Sequence, residues 1–386
     1  MRPPITVLYV NHVSQVSGAE ESLLALMSRL DRAAFSPVLA CPPGELAERA
    51  AAIGVPVHPV PLRRLRRTWN PLPLAGYAAV WPYARWRLGR IARQCGAKLL
   101  HANSPTAYLY ASGVAARLPS VWHSRDLRPL PLPALAVCRC AERIIAVSEA
   151  VADFLSQEGL TRPRVTRIYN GIDAAAWRAR VTGQDPRPAL GLDATARVVL
   201  MPAQFVPWKR HEDALRMMVP LLVHEPAARL VLAGSDAFGD HPKLEPVLRA
   251  LAAGLGIGDK VVFAGARRDM PDLMATAEIV LAPSDGEPFG RVAIEAMCLA
   301  KPVVGTRAGG LPEVVRDGET GLLTAPCSPD SLATACARLM QNRGLARTLG
   351  EAGYSRVLAR FDIDHVAQET QTLYEAALHP PLRFRR

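Results

Sequence analysis

Two doubly wound α/β domains are what this sequence predicts, and three observations predict them. Short β-branched or leucine-rich runs alternate with longer amphipathic stretches, the rhythm of βαβ units around a parallel sheet. The series occurs twice, with a polar, Pro- and Gly-bearing pause between, from "NGIDAAAW" to "DPRPALGLDATA", roughly residues 171–196. A chain of 386 residues also exceeds one ordinary core and suits two domains.

In the first series "ITVLYV" (5–10), "SPVLAC" (36–41), "KLLHA" (98–102), "SVWHS" (120–124) and "RIIAVS" (143–148) read as strands buried on both faces. Between the first two, "SGAEESLLALMSRL" reads as a glycine-containing loop opening a helix, with Leu23, Leu26, Met27 and Leu30 at helical spacing. The second series has "RVVLMPA" (197–203), "ARLVLAG" (228–234), "KVVFAG" (260–265), "EIVLAPS" (278–284) and "KPVVGT" (301–306) as its strands. Ligands of open parallel sheets lie beyond the carboxyl ends of the strands. Two such domains facing one another would place a cleft between them, so every strand exit is a candidate site.

Composition narrows the class. With 49% apolar and 21% charged residues the chain is an ordered globular protein. Seven cysteines without regular spacing argue for a reducing compartment, and the lone C-x-C of Cys138 and Cys140 has no partner pair with which to hold zinc. The apolar run before Asn11 is too short for a signal peptide or a membrane span, and no other segment reaches eighteen uncharged apolar residues. The expected location is the cytoplasm, or the inner face of the cytoplasmic membrane as a peripheral protein.

Charge is uneven. Residues 1–180 carry 23 basic and 11 acidic side chains, a net of +12, whereas residues 181–386 carry 23 and 24, a net of −1. The excess concentrates in Pro61 to Arg93, which has eight arginines, no acid, and Trp69, Tyr77, Trp81, Tyr83 and Trp86 among them. That mixture fits an anionic membrane surface, and equally a solvated basic face with its aromatics packed inward. No nucleic-acid-binding module accompanies it, so nucleic acid is not an expected partner.

The exits of the second series carry the chemistry. "SDGEPFGRVAIEAM" places Glu287 in a turn made by Pro288 and Gly290, and Glu295 on a helix read from Val292 to Leu299. The first turn of that helix offers free backbone N–H groups to an anion. Carboxylates beside a bound phosphate would repel it, so they suit the neutral hydroxyls of its sugar and ribose. The structural alternative is that Glu287 caps the helix and Glu295 pairs with an arginine. At the next exit Gly309 and Gly310 let the backbone approach a ligand closely. At the first, "LMPAQFVPWKRHEDAL" sets Lys209 and Arg210 just before a helix, where a lysine neutralises a diphosphate.

Together these pieces resemble the retaining nucleotide-sugar glycosyltransferases of the family that includes sucrose synthase and bacterial mannosyltransferases of lipid glycosylation, glycosyltransferase family 4, with the α/β GT-B fold. The family's E-P-F-G-x-x-x-x-E spacing is matched by Glu287, Pro288, Phe289, Gly290 and Glu295. "SGAEESLLALMSRL", "AERIIAVSEAVADFL", "IYNGID" and "GLPEVVRDGETGLL" resemble its other segments in the expected order. The resemblance implies an acceptor domain over 1–178, a linker over 179–196, a donor domain over 197–362, and a C-terminal helix with a basic tail, 363–386, crossing back to the first domain. It implies transfer of a hexose from a UDP- or GDP-sugar to a hydroxyl of a lipid-linked or polysaccharide acceptor, with retention of configuration and no metal or cofactor.

Residue by residue, the resemblance makes Glu287 the group that binds donor-sugar hydroxyls, Glu295 the ribose ligand and Lys209 the diphosphate ligand. Backbone of Phe289, Gly290 and Val292 would surround sugar and phosphate. Gly18 would lie close to the donor phosphates, His123 in "WHSRD" near the donor sugar, and Ala266 to Arg268 near the base. His123 equally reads as a satisfied core histidine. Gln204 stands where many members have an arginine, so one diphosphate charge falls to Arg210, to another basic residue, or to none. Ala300 stands where a glycine is usual and reads as a matter of packing. Asp362 and Asp364, the sole D-x-D, suit a helix N-cap better than a metal.

Two rivals come from other classes. A nonenzymatic protein on the same fold would bind sugar nucleotides or a membrane without turnover. A nicotinamide-dependent oxidoreductase would need G-x-G-x-x-G after the first strand, where "NHVSQVSGAE" stands instead.

Overall fold

The computed structural model describes residues 3–64, 71–130, 132–160 and 164–379, with the side chains of 71–75, 77, 78, 132 and 133 excepted. Trp69, the Tyr77 side chain and the basic tail from 380 onward therefore lie outside the described residues.

The chain divides into two units, Met1–Gly171 with Ile363–Arg386, and Ile172–Asp362. The first unit runs β1 (Ile5–Val10), α1 (Gly18–Ser28), β2 (Phe35–Cys41), α2 (Glu45–Ala52), β3 (Val57–Pro59), α3 (Pro71–Gln94), β4 (Leu99–Ala102), α4 (Pro105–Ala115), β5 (Ser120–Ser124), α5 (Leu132–Cys138), β6 (Arg143–Ala146), α6 (Glu149–Gln157) and β7 (Val165–Arg167). Its seven strands are ordered β3-β2-β1-β4-β5-β6-β7, and every pairing is parallel. Val7 to Val10 are wholly buried because helices cover both faces of the sheet, which is why the strand reads as a continuous apolar run. Leu23, Leu26, Met27 and Leu30, the predicted helical stripe, are all buried.

The second unit runs α7 (Ala174–Ala179), β8 (Arg197–Pro202), α8 (His211–His224), β9 (Ala228–Ala233), α9 (Leu244–Gly254), β10 (Val261–Gly265), α10 (Met270–Thr276), β11 (Ile279–Ala282), α11 (Arg291–Cys298), β12 (Val303–Thr306), α12 (Leu311–Val314), β13 (Leu322–Thr324), α13 (Pro329–Gln341) and α14 (Arg343–Arg360). Its six strands are ordered β10-β9-β8-β11-β12-β13, again all parallel. The core gathers Val199, Met201, Leu230, Leu232, Leu281 and Val304 from the sheet against Leu215, Met218, Leu332 and Leu339 of α8 and α13.

The final helix, α15 (Ile363–Leu378), returns to the first unit. Val366, Ala367, Leu373, Tyr374 and Ala377 recur at helical spacing and join the core cluster of Val7, Leu39 and Phe35. Tyr374 meets the Phe35 ring edge-on, with centroids 5.6 Å apart.

Two expectations change. The stretch expected as a linker, 179–196, belongs to the second unit, because the buried carboxylate of Asp272 accepts from the backbone N–H of Thr182 at 2.8 Å and of Gly183 at 3.1 Å. The chain leaves the first unit at Gly171 rather than at 178. Ala300 is a conformational matter as well as one of packing: it is a non-glycine residue at φ +53°. Its amide closes the carboxyl end of α11 by donating to Met297 O, and the next amide donates to Ala296 O.

Among the described residues no helix is long and apolar enough to cross a membrane. None of their His, Cys, Asp and Glu side chains form a group of three or more placed to hold a metal ion. Cys138 is buried while Cys140 is exposed.

Candidate active site

In each sheet the strand order reverses at one place, and ligands of doubly wound sheets bind at such a switch point. In the second unit it lies between β8 and β11. The loop after β8 carries a single 3-10 turn, Pro207–Lys209, and the loop after β11 carries Glu287. Asp285 N donates to Trp208 O at 2.8 Å, tying the loops together. Lys209 Nζ then donates to Glu287 Oε2 at 2.6 Å, and Ser284 Oγ donates to the same oxygen at 3.0 Å. The lysine and glutamate side chains are only 15% and 13% exposed. The Trp208 ring lies under the ammonium, 4.3 Å from its centroid. Lys209, Glu287, Ser284, Gly290 and Val292 line one recess together with the apolar Met201 and Leu281.

The two-glycine loop acts on Glu287 itself. Gly309 sits at φ +60°, and a Cβ there would come 2.2 Å from Glu287 O. Gly310 N donates to that same oxygen at 2.6 Å. The close approach expected toward a ligand is thus made toward the backbone of the acidic loop. Gly290 holds φ +105°, and a Cβ there would meet Leu311 Cδ1 at 2.7 Å. It precedes α11 without a side-chain cap, so the helix presents first-turn N–H groups that its own eight residues cannot satisfy. An anion above the recess would face that end and the Lys209 ammonium together.

The remaining predicted residues are placed as follows. Glu287 does not cap α11. Glu295 lies on α11 with its Oε1 2.8 Å from Arg291 Nε, an ion-pair contact without hydrogen-bond alignment at that nitrogen, so the arginine pairing raised as a structural alternative is present. Phe289 is buried edge-on against Phe361, with centroids 5.6 Å apart; only its backbone remains for a ligand. Gln204, two residues beyond β8, is half-buried. Arg210, expected to face a diphosphate, instead donates to both carboxylate oxygens of buried Asp213, at 2.9 and 3.0 Å. That pairing raises the guanidinium pKa further, and the arginine turns away because α8 begins there with Asp213 in its first turn. Arg267, within the segment assigned to the base, is likewise paired with Asp269 at 2.6 Å.

In the first unit the switch point lies between β1 and β4. Gly18 opens α1 there. Ser17 before it donates to Glu20 Oε2 from both N, at 3.2 Å, and Oγ, at 2.5 Å, while Asn11 Nδ2 donates to Glu20 Oε1 at 3.3 Å. Asn103 Nδ2 donates to Asn11 Oδ1 at 2.9 Å across the two strand exits. His123 on β5 is buried beside His101 and Arg125, with its Nδ1 3.3 Å from His101 Nε2 and 3.2 Å from Arg125 Nη2. Burial, then the neighbouring cation, keeps His123 neutral well below its ordinary range; the same two causes lower His101 to about 3. His123 Nε2 is buried and has no partner among the described residues, so His123 is not a fully satisfied core histidine.

Sequence reasoning missed Ser284, Asp213, Glu20 and Arg125. Glu20 had a recognisable signal, the S-x-x-E spacing of a capping box. Asp213 and Ser284 each lie three residues from the side chain they bond, Arg210 and Glu287, a spacing with no signature of its own, and Arg125 is recognised by Asn103 and Asn170, which the fold brings to it.

Two family models match the chain in order: Glycosyltransferase Family 4 over residues 16–176 and Glycosyl transferases group 1 over residues 184–356. Among curated proteins, N-acetyl-alpha-D-glucosaminyl L-malate synthase of Bacillus anthracis is 28% identical over 231 residues, 60% of this chain and 58% of that protein. The lipopolysaccharide core biosynthesis mannosyltransferase LpsB of Rhizobium meliloti is 28% identical over 62% of this chain and 67% of its own length. The match thus spans about 60% of the length of the first curated relatives. Among solved structures, Anabaena HepE in complex with UDP-glucose superimposes with a TM-score of 0.81 at 25% identity, covering 96% of this chain and all of that one. With both halves matched in order and the fold shared over nearly the whole length, the chain belongs to the family 4 glycosyltransferases of the GT-B fold.

Proposed function

We propose that the chain transfers a hexose from a nucleotide diphosphate sugar to a hydroxyl acceptor, with retention of anomeric configuration. The observation that carries this reading is the Lys209–Glu287 pair at the switch point of the second unit, beside the amino end of α11. A lysine has three N–H bonds, so Lys209 can keep its bond to Glu287 while donating to a phosphate oxygen. Glu287, held by Ser284 and by the glycine loop, has lone pairs left for the hydroxyls of a sugar. The solved structure of HepE with UDP-glucose, and relatives named for glucosaminyl and mannosyl transfer, support a sugar-nucleotide donor.

In the reaction the bond from the anomeric carbon to the diphosphate breaks and a bond from the same carbon to the acceptor oxygen forms. The acceptor's proton passes to the leaving diphosphate. Lys209 and the α11 amides stabilise the charge that develops on that leaving group, and Glu287 positions the sugar without becoming its nucleophile. Glu287→Ala should abolish most turnover of a sugar nucleotide while leaving the circular dichroism spectrum unchanged; near-normal turnover would refute this assignment.

For the acceptor we propose a lipid-linked or polysaccharide glycan presented at an anionic membrane surface. Along α3, Trp81 packs on Tyr110 with ring centroids 4.8 Å apart, whereas Tyr83 and Trp86 are 50% and 53% exposed, with Arg90 over the Trp86 ring. Outward aromatics among arginines suit an interface. Failure to sediment with phosphatidylglycerol vesicles at low salt would remove the membrane from the proposal.

A further inference from the structure

Beneath the carboxyl ends of β1, β4 and β5 runs an unbroken line of buried polar atoms. Tyr9 Oη lies 2.8 Å from Tyr374 Oη, which lies 2.7 Å from His101 Nδ1. His101 Nε2 lies 3.3 Å from His123 Nδ1, which is also 3.2 Å from Arg125 Nη2. Tyr9, Tyr374 and His101 are wholly buried, and His123 is 5% exposed. The line ends at His123 Nε2, buried and without a partner among the described residues.

Taken pair by pair, each contact allows either direction. Arg125 removes the choice, because a guanidinium has hydrogens to donate and no acceptor. His123 Nδ1 must therefore accept, and in a neutral imidazole the hydrogen then sits on Nε2. A bare His101 Nε2 only 3.3 Å away would set lone pair against lone pair, so His101 Nε2 carries the hydrogen between the rings, the one lone pair of His123 Nδ1 is shared by two donors, and His101 Nδ1 is left as an acceptor. Tyr374 then donates to His101, and Tyr9 donates to Tyr374. One cation sets the sense of four hydrogen bonds. Arg125 is itself oriented by donating from Nε to Asn103 Oδ1 at 2.9 Å and from Nη1 to Asn170 Oδ1 at 2.5 Å. Without Arg125 the line has a second arrangement: His123 Nδ1 donates to His101 Nε2, His101 Nδ1 to Tyr374, and Tyr374 to Tyr9. His123 Nε2 would then be a bare lone pair.

We infer that His123 meets its ligand as an Nε2–H hydrogen-bond donor and not as a base, and that Arg125, His101 and Tyr374 are positioning residues that fix this polarity. The atom facing Nε2 must then be an acceptor oxygen. That this oxygen belongs to a sugar nucleotide rests on the function proposed above; the direction of the hydrogen bonds does not. Tyr374 stands on α15, the helix that returns to this unit after the whole second unit has been traversed, so that return also completes the histidine's support.

The experiment is two-bond 1H–15N correlation on 15N-histidine-labelled protein near pH 7, with His101→Gln and His123→Gln identifying the two signals. The expected result is a protonated-type shift at Nε2 and a bare-type shift at Nδ1 for both rings in the unsubstituted chain. Finding the Nδ1–H form, or an imidazolium, at His123 would overturn the inference without recourse to any further variant. Arg125→Leu should bring up the opposite tautomer at both rings, and Arg125→Lys, which still only donates, should suppress it; unchanged tautomers in a folded Arg125→Leu protein would also overturn it. Adding UDP-glucose should then shift the His123 Nε2 resonance with the tautomer unchanged. No shift, with the tautomers as expected, would leave the polarity standing and refute the placing of His123 against the donor.

Discussion

Removing both members of the Lys209–Glu287 pair should destabilise the second unit by no more than removing either one alone. The side chains are 15% and 13% exposed, the contact is 2.6 Å, and the glutamate's other side-chain partner is Ser284 at 3.0 Å. Breaking a buried ion pair from one side typically costs about 3–5 kcal/mol, most of it from the charge left unpaired. The residual exposure and the Ser284 bond reduce that figure here, so Lys209→Met and Glu287→Gln should each destabilise by about 2 kcal/mol. The double variant leaves no orphaned charge and should fall well short of the sum, with a coupling of about 2 kcal/mol. Urea unfolding followed by tryptophan emission, with Trp208 beside the pair, gives the four stabilities of the cycle. Two small effects that simply add would refute the reasoning, since they would make the contact equivalent to an exposed ion pair, for which under about 1 kcal/mol is usual.

Two further predictions concern stability. Burial lowers His101 to about 3 and His211 to about 4, whereas both titrate near 6.5 when unfolded, so the unfolded chain binds the extra protons: stability is full above pH 6.5 and falls as pH drops toward 4. Between pH 6.5 and 5 the loss should approach about 2 kcal/mol per histidine, and a urea midpoint equal at pH 7.5 and pH 5 would contradict it. Ala300→Gly relieves a left-handed alanine that costs about 1–2 kcal/mol, partly offset by the greater freedom of glycine in the unfolded chain; a rise of a few degrees in the melting midpoint is expected, and a fall would show that the methyl group has a packing role.

Much of the fold was legible because parallel strands buried on both faces are apolar throughout: "ITVLYV" and "RVVLMP" announce β1 and β8 without any partner. The edge strands β3, β7 and β13 were not legible, since each has three residues and no periodicity can show in three. The stretch 179–196 looked like a linker because its anchor, Asp272, is 90 residues away from Thr182 in sequence. Lys209 and Glu287 could be singled out by residue type and spacing at strand exits, and the structure brings them within one hydrogen bond across 78 residues. What supports them could not be read in the same way. Gly309 looked like a ligand-facing turn, but whether a glycine approaches a ligand or another loop depends on what the fold sets against it. Arg210 looked available because basic residues at a helix start suit anions, yet Asp213 three residues on already satisfies it. The Tyr374–His101 contact spans 273 residues and leaves no local trace.

The central claim is that the recess of the second unit holds the diphosphate of a sugar nucleotide against Lys209. Isothermal titration of UDP, GDP, UDP-glucose and GDP-mannose into the unsubstituted chain and into Lys209→Met tests it most directly. At least one nucleotide should bind the unsubstituted chain and bind the variant at least about tenfold more weakly, the loss of roughly one charge-assisted hydrogen bond. A nucleotide that binds both proteins equally well would contradict the claim, because its diphosphate would then be held elsewhere.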